Sequence, residues 1–152
     1  MRRSPVEADV ILGPDVFVNA SVALNSPPEE VVRRLLGADA KGKTKTTPWV
    51  LRRVEGMFDA HPDFKKDSIE TQMKLILGLV TVMKETKEHP PDGWEQALVA
   101  AANLAHVKRV ITDHPDLIAK EMVEGIEFIS TEAWLLERRM PPPPPPPSTK
   151  PS

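Results

Sequence analysis

The most explicit chemical motif in the chain is Gly37-Ala38-Asp39-Ala40-Lys41-Gly42-Lys43-Thr44, which satisfies G-x-x-x-x-G-K-[ST], the pattern of loops that cradle nucleotide phosphates. That chemistry needs a buried strand running straight into a helix whose first N–H groups point at the anion. Here a helical pattern precedes the loop, and a β-prone stretch with Pro48 follows it. The match is therefore read as a solvated basic loop and not as a nucleotide site. His61, His89, His106 and His114 all fall beside expected helix ends, and no two of them have metal-ligand spacing. His114, just before Pro115, reads as a cap or surface residue. Trp49, Trp94 and Trp134 each fall in the first turns of a helix, where packing onto a sheet is expected before base stacking. Cysteine is absent, which excludes disulfides, thiolate metal sites and a cysteine nucleophile.

Positioning any site falls to the elements around it. Asp9 to Val18, rich in Val, Ile and Phe and interrupted by Gly13 and Pro14, predicts a buried first strand with a bend. Ser26-Pro27-Pro28-Glu29 is a capping box with proline at the first helical position, and its helix runs through Val31, Val32, Leu35 and Leu36 to Gly37. Thr44 to Thr47 is β-prone, and Thr47-Pro48 then starts a helix with Val50, Leu51, Val54, Met57 and Phe58 as its apolar positions. The longest helix is expected from Asp67 to about Thr86, with Ile69, Met73, Ile76, Leu77, Val80 and Met83 on one face. Asp92-Gly93-Trp94-Glu95 predicts the cap of a helix that is rich in small residues from Ala97 to Ala105. Val107 to Thr112 reads as a strand, Pro115 to Glu124 as a helix ended by Gly125, Ile126 to Ile129 as a strand, and Ser130 to Arg138 as a last helix.

Strands separated by helices imply right-handed crossovers and an α/β fold, with a parallel sheet of four to five strands and helices on both faces. In such sheets ligands bind beyond the carboxyl ends of the strands, where strand order reverses. Chemistry is therefore expected just after Leu12, near Glu95 and just after Thr112, with Gly13 and His114 together at that edge.

At 152 residues and 40 % apolar composition the chain suits one domain with one core. The expected boundaries are an N-terminal arm (1–8), a folded domain (9–140) and a proline-rich tail (141–152). Of 17 prolines, seven run consecutively from Pro141 to Pro147. They favour a polyproline II rod of ~3.1 Å per residue, read as a stiff solvated tail, with docking into a partner's aromatic groove as the alternative. A net charge of -2 supplies no global field that would draw the chain onto nucleic acid or an anionic membrane, so any RNA contact must come from a local patch. Met1-Arg2-Arg3-Ser4-Pro5 is basic, but the apolar run after it is short and broken by Glu7, Asp9 and Pro14. It reads as neither signal peptide nor membrane span, so the expected compartment is the cytoplasm.

Four segments in order, over residues 9 to about 137, carry a family resemblance. They are Val10-Ile11-Leu12-Gly13-Pro14-Asp15-Val16-Phe17-Val18, then Leu35-Leu36-Gly37 with the short strand and Thr47-Pro48, then Arg109 to Ile118, then Gly125 to Leu135. Together they resemble PIN domains, a Rossmann-like family of metal-dependent ribonucleases, and most of all its branch of bacterial toxin–antitoxin toxins. The resemblance implies three or four carboxylates at the carboxyl edge of the sheet, holding Mg²⁺ or Mn²⁺ that activates a water to attack an RNA phosphodiester. This sequence departs from that pattern. Gly13 falls where the first aspartate belongs, Asp15 where the family usually has asparagine, Arg53 near the usual helix-borne glutamate, and His114 in place of the main late aspartate. Glu95 and Asp116 fall where family acids commonly lie.

Arg53 would bring a fixed positive charge to a place that should attract a cation. The expected function is therefore a non-catalytic PIN-like module with no cofactor. It would bind RNA through Lys41, Lys43, Lys45, Arg52 and Arg53, or a protein partner through the domain or the tail, with a homodimer open. The alternative is an active Mg²⁺- or Mn²⁺-dependent endoribonuclease on a shifted set, in which Asp15, Glu95 and Asp116 hold the metal and Asp113 stands in for His114. Asp15, two residues beyond Gly13, would point to the same side of a strand. Against that, Glu95 suits the third helical position of a capping box with Asp92, and Asp116 suits the first turn of a helix dipole.

Overall fold

The computed structural model describes residues 9–37 and 43–139. The basic arm, Lys41 and the proline-rich tail lie outside the described residues. The order of elements is β1 (Ile11–Leu12), α1 (Pro14–Val22), α2 (Pro27–Leu36), β2 (Lys45–Thr46), α3 (Pro48–Ala60), α4 (Lys66–Leu79), β3 (Thr81–Val82), α5 (Trp94–Ala105), β4 (Arg109–Ile111), α6 (Pro115–Lys120), β5 (Met122–Val123), β6 (Ile126–Ile129) and α7 (Thr131–Arg139).

The fold is α/β with a mostly parallel sheet. Its strand order is β1-β4-β6-β5, and β2 and β3 form a separate parallel pair. β4 runs parallel to both β1 and β6, with Leu12 beside Ile111 and Ile111 beside Ile129. Successive strand residues point to opposite faces. Ile11, Leu12, Val110 and Ile111 are all fully buried, so both faces of the central strands are covered, as continuous apolar runs in parallel sheets require. Trp49, Trp134, Phe17, Phe58 and Leu98 fill the same core from the helices.

Three expectations are corrected. Asp9 to Val18 is not one bent strand: β1 stops at Leu12 and α1 begins at Pro14. Gly13 is extended at the N-cap, and Pro14 at the first helical position is pre-set for the helix. The apolar run misled because Val16, Phe17, Val18 and Ala20 are all buried, and a helix covered on most sides carries no strand-like or helix-like period. The long helix after Asp67 ends at Leu79, where Val80 turns extended and β3 follows. Pairing with β2 supplies the backbone bonds that helix would have made: the Thr81 N–H donates to the Thr44 carbonyl at 2.9 Å and the Met83 N–H to the Thr46 carbonyl at 2.8 Å. The helix from Pro115 ends at Lys120, because Glu121 has φ of 61° and the chain turns back as β5. Glu124 (φ 50°) and Gly125 (φ 82°) then form a two-residue hairpin loop, both with the positive φ of a type I′ turn, joining β5 antiparallel to β6. The sheet is thus four-stranded and mixed, not wholly parallel.

Two helix starts match their sequence signals. The Ser26 hydroxyl accepts from the Glu29 N–H, and the Thr47 hydroxyl accepts from the Val50 N–H, each at 3.4 Å. Residues 38–42 of the phosphate-loop match lie outside the described residues, and its flanks are a helix before it and a strand after it. Gly37 ends helix α2, β2 follows, and the buried Thr44 hydroxyl donates to the Leu35 carbonyl at 2.9 Å. Among the described residues no helix is long and apolar enough to cross a membrane.

Candidate functional site at the carboxyl edge of the sheet

The parallel ladder extends one residue past the strand ends. The Gly13 N–H donates to the Ile111 carbonyl at 2.8 Å, and the Thr112 N–H donates to the Ile129 carbonyl at 2.9 Å. Gly13, Thr112 and Ser130 therefore lie side by side at the carboxyl edge. β1 is the edge strand of the four-stranded sheet, hydrogen-bonded to β4 and in contact with β2 of the separate pair. The carboxyl ends of β1, β4 and β6 are where an α/β sheet usually places its ligand site. His114 lies at the same edge as Gly13, as expected.

Asp15 is brought there by the first turn of α1, not by a strand as the spacing argument supposed. The residue is 8 % exposed, and its carboxylate turns toward β4. Oδ1 accepts the Thr112 hydroxyl at 2.9 Å and Oδ2 accepts the Asp113 N–H at 2.8 Å. Thr112 Oγ1 in turn accepts the His114 N–H at 3.1 Å. Asp113 points onward to α7: its Oδ1 accepts the Thr131 N–H at 2.9 Å and its Oδ2 accepts the Thr131 hydroxyl at 2.8 Å. The two carboxylates thus tie the start of α1, the end of β4 and the start of α7 into one chain of hydrogen bonds. Burial pushes the Asp15 carboxyl above its ordinary value of 3.8; the bonds from the Asp113 N–H and the Thr112 hydroxyl pull it down, and the Asp113 charge adds to the rise.

Gly13 makes this arrangement possible. A Cβ at residue 13 would stand 2.6 Å from Asp15 Oδ1 and 3.1 Å from both Cβ and Oγ1 of Thr112. A carboxylate at residue 13 and the observed seat of Asp15 therefore exclude each other.

The other candidates do not join the cluster. Glu95, at the second position of α5, forms an ion pair with Lys120 of α6. The capping box with Asp92 does not form, since Gly93 occupies the N-cap of α5 and no side chain caps it. Asp116 is exposed in the first turn of the short α6, in the dipole position expected of it. Arg53 is half-buried on α3, with Nε shielded and unbonded among the described residues. Arg52 faces Glu85 across 3.7 Å, and Lys43 and Lys45 are exposed. Beside the acids, the His114 ring leans on Trp94 (centroids 5.1 Å), which meets Trp49 edge-on at 5.9 Å. His114 occupies the N-cap position of α6 but its side chain caps nothing.

The donor set does not fit Mg²⁺ or Mn²⁺. Hard cations need several oxygens free to converge on one point. Here each of the four oxygens of Asp15 and Asp113 accepts one protein N–H or O–H group, which orients the Asp15 carboxylate toward β4 and that of Asp113 toward α7 and not toward one common point. Glu95 is neutralised by Lys120. Among the described residues no group of three acids or imidazoles is arranged to hold a metal ion. Sequence reasoning missed Thr112 and Thr131, which hold the acids. The available signal was a hydroxyl residue beside the end of each of two neighbouring parallel strands. Set against models of protein families, curated proteins and solved structures, the chain matches none of them.

Proposed function

We propose that the chain is a non-catalytic PIN-like module that binds a protein partner, its ancestral carboxylate edge having become a structural hydrogen-bond network. The observation that carries this reading is the occupancy of both oxygens of Asp15 and both of Asp113 by Thr112, Thr131 and the Asp113 N–H. A catalytic carboxylate turns its lone pairs toward a shared cation or water; here each of the four oxygens gives one of its acceptor sites to a donor of the fold, and those bonds set the direction of both carboxylates. The seat that Gly13 leaves for Asp15 supports the same reading, because it accounts for two departures from the family pattern by one packing relation. A protein partner is favoured over RNA because the cations are tied or dispersed. Arg52 faces Glu85, Arg53 is half-buried, and only Lys43 and Lys45 of the described set stand free on the surface.

The test is calorimetric titration of the full chain with Mn²⁺, paired with a cleavage assay on mixed RNA. The natural protein and a Glu95→Gln, Asp116→Asn double variant are expected to give the same result, with no saturable Mn²⁺ binding and no cleavage. Cleavage by the natural protein that the double variant loses would replace this reading with the ribonuclease on Asp15, Glu95, Asp113 and Asp116. A salt-sensitive RNA complex without cleavage would replace the protein partner with RNA.

A further inference from the structure

Away from the carboxyl edge, α3 and α4 leave a trough between them. Phe64, Ile69 and Met73 floor a hollow of about 700 Å³, and Leu51, Leu77 and Val82 line a neighbouring one of about 440 Å³. Glu55, Asp59, Met73 and Leu77 border both, so the two are one continuous feature. From Lys66 to Leu77 the trough follows α4 for about three turns, roughly 16 Å. Leu77 and Val82 stand 48 % and 42 % exposed on it, so an occupant would gain by covering them.

The α3 bank carries charge that the fold leaves unmatched. Glu55 and Asp59 stand four residues apart, where like charges oppose the helix. Neither has an ion-pair partner among the described residues, whereas Glu29, Glu85, Glu95 and Glu137 each do. On the opposite bank Lys66, Glu70 and Lys74 alternate in sign at the same spacing along α4. Arg52, on the α3 bank, already faces Glu85. Gly56 follows Glu55 on that bank, and a Cβ there would meet only an Arg53 side-chain nitrogen, at 3.9 Å. Inside a helix glycine is a cost, and close approach by another backbone is a reason to keep one.

We infer that this trough takes an amphipathic helix of the partner protein, its apolar stripe on Met73 and Leu77 and its lysines or arginines along the edge that meets α3. The inference rests on the protein-partner reading and gives that partner a chemistry. A helix fits because its i, i+3, i+4 and i+7 anchors repeat over the length the trough offers. Both banks are helices whose backbone groups are already bonded, so an extended peptide would find no ladder to join along them. Glu55 and Asp59 select the basic edge, since an acidic one would set like charges against both. Gly56 lets the backbone of the occupant come close to α3.

Fluorescence anisotropy with two labelled peptides reads the outcome. Each has about 18 residues with leucine at i, i+3, i+4 and i+7, one peptide with lysine and the other with glutamate along both edges of the stripe. The full natural chain should bind the lysine-edged peptide at least about tenfold more tightly, and added salt should narrow the gap. A Glu55→Lys, Asp59→Lys variant should reverse the preference. A Glu88→Lys, Asp92→Lys variant makes the same change of net charge at exposed positions elsewhere and should keep the natural preference. Gly56→Leu should weaken both peptides. All three variants alter exposed positions only, and their far-ultraviolet circular dichroism spectra should match that of the natural chain. A natural chain that binds neither peptide, a preference that survives reversal at Glu55 and Asp59 or reverses with the Glu88 and Asp92 variant, or binding undiminished by Gly56→Leu overturns the proposal. Those results leave the protein-partner reading standing, whereas RNA cleavage or a salt-sensitive RNA complex removes that reading whatever the peptides do.

Discussion

The carboxyl edge of the central sheet and the outer face of α4 are opposite in how they treat their chemical groups. At the edge, polar groups are buried and every carboxylate oxygen of Asp15 and Asp113 has a protein donor. On α4, leucines are exposed beside empty recesses and a glycine faces outward with nothing against it. Polar groups satisfied inside the fold have little left to offer a ligand, while apolar groups left outside have a free-energy gain still available of about 25 cal/mol per Å² covered. The difference teaches that the carboxyl edge is tied into the fold by its polar groups, whereas the outer side of α4 leaves apolar surface uncovered.

The sharpest way to break that contrast is to remove one group from each region. Asp15→Ala leaves the buried Thr112 hydroxyl and the Asp113 N–H without an acceptor. Orphaning two such donors should cost about 2–4 kcal/mol in a urea denaturation experiment. Leu77→Ala, on the exposed side of α4, should change stability by under about 0.5 kcal/mol, as surface substitutions usually do. If the two costs are alike, the edge is not the structural element described above. A metal site would give the reverse sign at Asp15, because deleting one of several clustered carboxylates relieves repulsion in the metal-free protein.

A smaller effect comes from Gly13→Ala. The added Cβ meets the mobile end of Asp15, 2.6 Å away, and the side chain can rotate clear only by giving up its bond to Thr112. The expected loss is about 1–2 kcal/mol, with most of it vanishing in an Asp15→Ser background where there is no carboxylate to displace. Additive losses in that double-mutant cycle would mean that Gly13 is needed for some reason other than making room. The same geometry explains why Gly13→Asp would not simply add a third acid to Asp15 and Asp113: the new carboxylate would contend for the place Asp15 holds.

Much of the scaffold was legible in the sequence, and the gaps share a cause. α2 and α3 announce themselves through Ser26 and Thr47 followed by proline, signals that act within a few residues. α1 was hidden because its burial extends around most of the helix, leaving Gly13-Pro14 as the one local clue. β3 and β5 are two residues each and exist through pairing with β2 and β6, which no local propensity encodes. Gly125 was recognised as a terminator, but it closes a hairpin and not a helix. At the site, the edge itself could be located because the carboxyl-end rule is topological. The partners could not: Asp113 meets Thr131 because β4 lies beside β6, and Glu95 meets Lys120 because α5 and α6 converge across 25 positions of sequence.

The finest test of the contrast is the pH dependence of the edge. The Asp15 carboxyl is raised above 3.8, chiefly by burial, so the fold prefers its neutral form. Its contribution to stability is complete below its unfolded value and is lost as pH rises through the folded one. Glu137, lowered from 4.5 by hydrogen bonds from Arg109, and Glu30, lowered by Arg139, run the other way: their contributions are present above 4.5 and fade as pH falls through their folded values. These opposed trends mask one another in the natural chain, so the measurement is the difference in unfolding free energy between the natural chain and Asp15→Asn from about pH 3 to about pH 8. Asparagine can still accept the Asp113 N–H but cannot ionise, so Glu137 and Glu30 cancel in the subtraction. The difference should move in favour of the variant as pH rises from below 3.8, then level off above the folded value of Asp15. A difference that moves toward the natural chain with rising pH would show that the fold holds this carboxylate charged, as a site built for a cation would, and would return Asp15 from the interior of the fold to its surface chemistry.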